Sequence, residues 1–222
     1  MRLLIGEKLV EFSDEQLDYM YIDEGTEAEV YKFGNSVLKV YKPFCSKYRL
    51  SENDADTLTK INTQRILLPR ELLRDPDTLE FKGYSTPFIK ACSRSALLNL
   101  KMEQFLGELE VLEDDMELLA IHGVDVADFI LENMIYDGKI YFCDPGSYII
   151  NLKTRSGYIH QNNICELNNF VLNHLFPLVK ISKAKREAYN SNYLESECLS
   201  WQMRDNCITG ETIKQHIKRM TR

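Results

Sequence analysis

Val126-Ala127-Asp128-Phe129-Ile130-Leu131-Glu132-Asn133, with Cys143-Asp144-Pro145-Gly146-Ser147 after it, decides how this chain is read. One Asp stands five residues before an Asn, and a second Asp opens a Pro-Gly turn. Between them, two short alternating apolar runs flank Asp137-Gly138, the dipeptide of a type I′ hairpin turn. Such a hairpin brings its ends, Asn133 and Asp144, together. Oxygen ligands at adjacent strand ends, completed by phosphate oxygens and water, suit magnesium.

Upstream, Leu97, Leu98, Leu100, Met102, Phe105, Leu106, Leu109, Leu112, Met116, Leu119 and Ile121 recur at helical spacing. Gly107 and Asp114-Asp115 predict two helices or a break. His122-Gly123-Val124 follows as a helix end, which makes His122 structural. Asp125 and Asp128 both stand in this stretch, but only Asp128 lies five residues before Asn133.

Residues 17–42 have strand character, with Tyr19, Tyr21, Val30, Tyr31, Phe33, Val37, Leu38, Val40 and Tyr41. Turns at residues 23–28 and at Gly34-Asn35-Ser36 divide them into three strands. Lys39 stands among apolar residues in the last. Alone, it reads as an edge or snorkelling lysine. Ser51 opens a helix over residues 51–61, with acids in its first turns and Leu58 and Ile61 on its buried face. Two strands follow within residues 66–90, around a turn at Asp75-Pro76-Asp77. Beyond Ser147, helices are expected over residues 165–180 and 183–204, the second with Tyr193 and Trp201. A last helix starts at Thr209.

Net charge is −7, with 44% hydrophobic and 27% charged residues. This balance fits a soluble globular chain and argues against non-specific nucleic-acid binding. No apolar run approaches the ~20 residues that cross a bilayer. The first residues lack a signal-peptide core. The six cysteines show no Cys-x-x-Cys pair and read as reduced thiols of a cytoplasmic protein, without a zinc site.

Taken in order, Gly25, Lys39, Asp128, Asn133 and Asp144 resemble the protein-kinase-like superfamily, in a compact, divergent, bacterial-type form, over residues 20–150. The resemblance implies an α+β, bilobal fold. Residues 1–90 would form an antiparallel sheet lobe with one helix, and residues 91–222 a shortened, mostly helical lobe. It implies ATP and Mg2+ as cofactors. Lys39, matching the strand lysine of Val-Ala-Ile-Lys, would hold the α- and β-phosphates. Asp128 would orient the acceptor hydroxyl, and Asn133 and Asp144 would hold the metal. Gly25, Ala28 and Val30 fall on the glycine-rich loop, of whose three glycine positions only Gly25 is kept. Acids at 23, 24, 27 and 29 crowd that loop. The backbone of Phe88, Ile89 and Lys90 would meet the adenine. Asp54 would pair with Lys39, with Glu52 and Asp56 as rivals.

Val126 and Ala127 replace the His-Arg of the catalytic loop, so no phosphorylated activation loop is expected to clamp there. Ile130 replaces the lysine common in protein kinases, as in enzymes of the aminoglycoside phosphotransferase type. The implied function is an ATP- and Mg-dependent phosphotransferase. Its acceptor would be a protein Ser/Thr first and a small-molecule hydroxyl second. The rival is a catalytically weak pseudokinase that acts as a binding module.

Overall fold

The computed structural model describes residues 1–43, 49–92, 96, 100–194 and 213–221. The chain divides into two compact units. Met1–Thr63, Leu67–Lys90 and Cys143–Tyr148 form the first; Gln64–Ile66, Ala91–Phe142 and Ile149–Arg222 form the second. The turn that carries Asp144 therefore belongs with the amino-terminal sheet. Three residues from the amino-terminal part belong with the helices.

The first unit is built on seven strands: β1 (Arg2–Ile5), β2 (Lys8–Glu11), β3 (Tyr21–Glu24), β4 (Ala28–Phe33), β5 (Ser36–Tyr41), β6 (Glu71–Arg74) and β7 (Phe81–Pro87). They form one antiparallel sheet in the order β2-β1-β6-β7-β5-β4-β3. Leu3, Ile5, Phe12, Tyr31, Leu38 and Leu73 make a core cluster on one face. The β4–β5 hairpin closes on Gly34-Asn35, with Phe33 opposite Ser36 and Gly34 at φ 60°. A glycine takes that left-handed turn without strain.

Residues 17–20 are helical, not extended. Helix α1 spans Asp14–Met20, and Ser13 and Gln16 cap each other's backbone amides at its start. That capping box outweighs the β preference of Tyr19, which is 92% exposed. Helix α2 (Glu52–Thr59) starts on Ser51, whose hydroxyl accepts from the Asp54 amide. Ala55, Leu58 and Ile61 are buried. Arg74 on β6 bonds Glu52 at 2.7 Å and ties the helix start to the sheet.

In the second unit, helix α3 (Met102–Ile121) runs 20 residues without a break. Asp115 does not interrupt it. Its buried carboxylate accepts from the backbone amides of Gln64, Arg65 and Ile66 at 2.6–3.2 Å. One turn pair earlier, Glu108 receives Arg65 through Nε and Nη2 at 2.7 and 3.2 Å, and also accepts from the Ile140 amide. Two acids on one helix face thus hold the amides of a short segment, which also bridges to Phe142 through Ile66. The helix ends at His122. Gly123 follows at φ 75°, where a β-carbon would meet the Asn151 carbonyl oxygen at 3.0 Å.

Strand β8 (Val124–Asp125) pairs with β11 (Ile149–Ile150), and β9 (Met134–Tyr136) with β10 (Ile140–Phe142). Tyr136 faces Ile140, so three residues, 137–139, close that hairpin rather than the two of a type I′ turn. The Asp137 carboxylate accepts from the Lys139 amide, and Gly138 takes φ 104°. Helix α4 spans Ser156–Phe170, beginning earlier than the apolar run and widening at residues 171–175. Helices α5 (Lys183–Leu194) and α6 (Ile213–Met220) complete the described chain. Leu97, Leu98, Trp201 and Thr209 lie outside the described residues.

Cys92 and Cys143 are free thiols, but Cys165 is disulfide-bonded, which corrects the expectation of six reduced cysteines. Among the described residues no helix is long and apolar enough to cross a membrane.

Two outcomes follow from helix α3. Asp115→Ala leaves three amides without their acceptor, so it is expected to destabilise the protein by about 3 kcal/mol, read as a lower urea midpoint. Burial pushes the Glu113 carboxyl up to about 7, against a bond from the Ile213 amide that lowers it. A raised folded-state value means that this group favours the fold most at acidic pH. Its contribution is lost as pH rises through about 7. Glu113→Gln is therefore expected to flatten the fall in melting temperature between pH 5 and 8.

Candidate functional site

Lys39 lies on β5, between Val30 on β4 and Tyr84 on β7 in the sheet register. Directly opposed residues share a face of a sheet. Val30, Lys39 and Tyr84 therefore form a row, and Ala28 and Tyr41 lie on the same face by alternation. The close approach of β5 and β7 beside Lys39 requires Gly83. At φ 143°, a β-carbon there would lie 1.9 Å from the Lys39 carbonyl oxygen. Nothing in the strand pattern singled out that glycine.

The Lys39 ammonium donates to Glu27 Oε1 and to Asp144 Oδ1, both at 2.5 Å. The lysine and Glu27 side chains are only 12% and 13% exposed, and Asp144 is 40% exposed. A buried ammonium needs such partners, because desolvation would otherwise disfavour its charge. The strand lysine and the turn aspartate, 105 residues apart, thus meet in one unit. Asp144 sits at φ 65°, in the left-handed region, and its Oδ1 also accepts from the Gly146 amide at 3.3 Å. Asp tolerates that conformation better than most residues. The Tyr84 phenol nearby is pushed well up by burial, and secondarily by Asp144. Burial likewise raises the Cys143 thiol to about 11, so it is held as a neutral thiol beside the carboxylate.

Asp54 is not the partner of Lys39. Its carboxylate accepts from the Ser51 hydroxyl at 2.7 Å, within the cap of α2. Glu52 holds Arg74, and Asp56 holds Lys60. The lysine's carboxylate comes instead from Glu27, at the edge of the preceding hairpin. The turn acids were visible in the sequence, but no spacing rule marked one of them as buried.

The Gly25 loop also differs from a phosphate cradle. The Gly25 amide donates to the Ala28 carbonyl at 2.9 Å and closes its own turn. Lys42 bonds the Gly25 carbonyl and approaches Glu24. Ala28 is buried and Val30 half-buried. At the end of β7, the Phe88 amide donates to the Asn35 carbonyl at 2.9 Å, so it is committed to the β4–β5 turn. Ile89 is half-buried and Lys90 exposed.

In the second unit, Asp128 stands at φ 70° on an exposed position, and its carbonyl accepts from Asn133 Nδ2 at 3.1 Å. Both sides of it are pinned. Upstream, the Val126 amide donates to Asn163 Oδ1 at 2.7 Å. Asn163 is wholly buried on α4, and its Nδ2 donates to the carbonyls of Val124 and Met116. Downstream, the Phe129 ring packs edge-on to Phe142 at 4.3 Å and against Phe170. Asp enters this left-handed region more readily than most residues, and these anchors hold it there. Asp125 receives Asn162 at 3.3 Å and lies on β8, opposite Ile149. Asn163 carries no motif signal in the sequence, since a buried Asn in a polar helix looks like any other.

Asn133, with an amide oxygen, belongs to the second unit, and Asp144, with a carboxylate, to the first. Among the described residues no cluster of three or more His, Cys, Asp or Glu side chains makes a metal cage.

No family model matches the chain, and no curated protein matches its sequence. Among solved structures, the kinase domain of Mycobacterium tuberculosis PknI is similar over 73% of this chain and 74% of that one. The TM-score is 0.51 and the identity 12%. The likeness establishes an α+β, kinase-like fold.

Asn163→Ala is expected to free the backbone of residues 124–126. Amide exchange at Val126 should accelerate and the melting temperature should fall by several degrees, since three buried hydrogen bonds are lost.

Proposed function

We propose that this chain is an ATP- and magnesium-dependent phosphotransferase acting on a hydroxyl, with a protein Ser/Thr side chain as the first candidate acceptor and a small-molecule hydroxyl as the second. The observation that carries the reading is the Lys39–Asp144 contact at 2.5 Å. Two motifs that are separate in the sequence converge at one point, and they are the lysine and the aspartate whose tasks in phosphoryl transfer are to hold phosphate and metal. The kinase-like fold supports it.

Each residue has one task. Lys39 presents a fixed ammonium to phosphate oxygens. Asp144 and Asn133 supply oxygens for the cation, which neutralises charge on the transferring phosphoryl group. Asp128, held in a pinned loop, accepts a hydrogen bond from the acceptor hydroxyl and aims its oxygen at phosphorus. Val30, half-buried and beside Lys39 on the same face, offers an apolar neighbour for a base. Positioning and electrostatics carry the rate, with little covalent chemistry for the protein.

A second reading, a pseudokinase that binds partners without turnover, draws on the Gly25 turn. Its amide faces inward, and the exposed acids Asp23 and Glu24 stand beside it. Both features weaken a phosphate cradle.

Transfer of labelled γ-phosphate from ATP to a generic protein substrate, or to the chain itself, separates the readings. Asp128→Ala is expected to lower the rate at least ~100-fold with ATP binding retained. Asp144→Asn is expected to abolish the magnesium dependence of ATP binding in calorimetry. Transfer unaffected by Asp128→Ala would reject the assignment.

A further inference from the structure

We propose that Glu27 is the positioning residue for Lys39, filling the role that helix α2 leaves empty. This inference rests on the phosphotransferase reading of the same site. Three observations lead to it.

First, Glu27 is built into the sheet and is not part of a loose loop tip. Its carbonyl accepts from the Lys42 amide at 2.8 Å, and the next residue, Ala28, pairs with Tyr41. Its side chain is 13% exposed, and its Oε1 lies 2.5 Å from the lysine nitrogen. A carboxylate is rarely buried unless it is paired, and here its partner is Lys39.

Second, each acid on α2 is committed elsewhere: Asp54 to Ser51, Glu52 to Arg74 and Asp56 to Lys60. Third, Glu27 Oε2 is buried without a hydrogen-bond partner, so the carboxylate is held in place by the single bond to the lysine. Leaving a buried acceptor unpaired costs free energy.

The consequence is regulatory. Where a helix supplies the carboxylate, movement of that helix makes or breaks the pair. Here the lysine lies on β5 and the glutamate immediately before β4, the partner strand in the same hairpin, and Asp144 completes the cluster from its turn. The lysine is aligned by the sheet itself, so its alignment does not depend on α2.

The test uses the full chain as wild type, Glu27→Gln and Asp54→Asn. Without nucleotide, the reductive methylation rate of Lys39 by formaldehyde and cyanoborohydride is read by peptide mass spectrometry. Loss of a buried charge-assisted bond is expected to raise that rate at least ~3-fold in Glu27→Gln and to leave it within ~1.5-fold in Asp54→Asn. With ATP and magnesium, Glu27→Gln is expected to lower kcat at least ~10-fold, whereas Asp54→Asn changes it less than ~2-fold.

Glu27→Asp retains charge but is one methylene short. It is expected to fall between wild type and Glu27→Gln in both readouts, and it stands in if Glu27→Gln does not fold. Equal labelling of wild type and Glu27→Gln would overturn the proposal, as would equal effects of Glu27→Gln and Asp54→Asn. Faster labelling in Glu27→Gln without ATP turnover by the wild type would uphold the Glu27–Lys39 pairing and reject the phosphotransferase reading.

Discussion

A lysine ammonium held at low exposure between two carboxylates sets the terms for the first unit. Such a charge survives burial only if its partners are fixed and close. The sheet supplies that fixity. Gly83 lets β7 approach the Lys39 backbone, Tyr84 lies beside the lysine in the register, and the start of β4 delivers Glu27. The left-handed turn at Asp144 then brings in the second carboxylate from far along the chain. Substituting any of these positions would leave part of the cluster without its counterpart.

The second unit solves a different problem with the same means. Buried acids and amides on regular helices hold short backbone segments whose own pairing is limited to the Ile66–Phe142 bridge and the two-residue strand β8. Glu108 and Asp115 on α3 satisfy residues 64–66, and Asn163 on α4 satisfies residues 124–126. The strained Asp128 follows directly, with Phe129 as an apolar anchor. A loop supported in this way holds its backbone in one conformation.

The parts of this arrangement that obey local periodicity were legible in the sequence. The β4–β5 hairpin, the Ser51 cap, the core stripe of α3 and the His122-Gly123 helix end all follow from side-chain period and turn chemistry. Lys39, Asp128, Asn133 and Asp144 stood out because their order resembles a known pattern. What stayed hidden depends on burial and long-range partners. Asp115 read as a helix breaker because its acceptor role needs residues 64–66, which are remote in sequence. The reading of Asp54 followed the resemblance, whereas Lys39 is bonded by Glu27, one of several acids in a turn that looked solvent-facing. Strands β1 and β2 escaped notice because each is four residues long. Residues 17–20 were read as strand because tyrosine propensity was weighed above the Ser13–Gln16 capping box.

The most direct test of the central claim is a crystal structure of the chain with magnesium and a non-hydrolysable ATP analogue. The analogue's phosphates are expected within hydrogen-bond distance of Lys39 Nζ, with a magnesium ion on the Asp144 carboxylate and Glu27 still bonded to the lysine. An analogue bound elsewhere, or none bound at millimolar concentration while the Glu27–Lys39–Asp144 cluster stays closed, would contradict it.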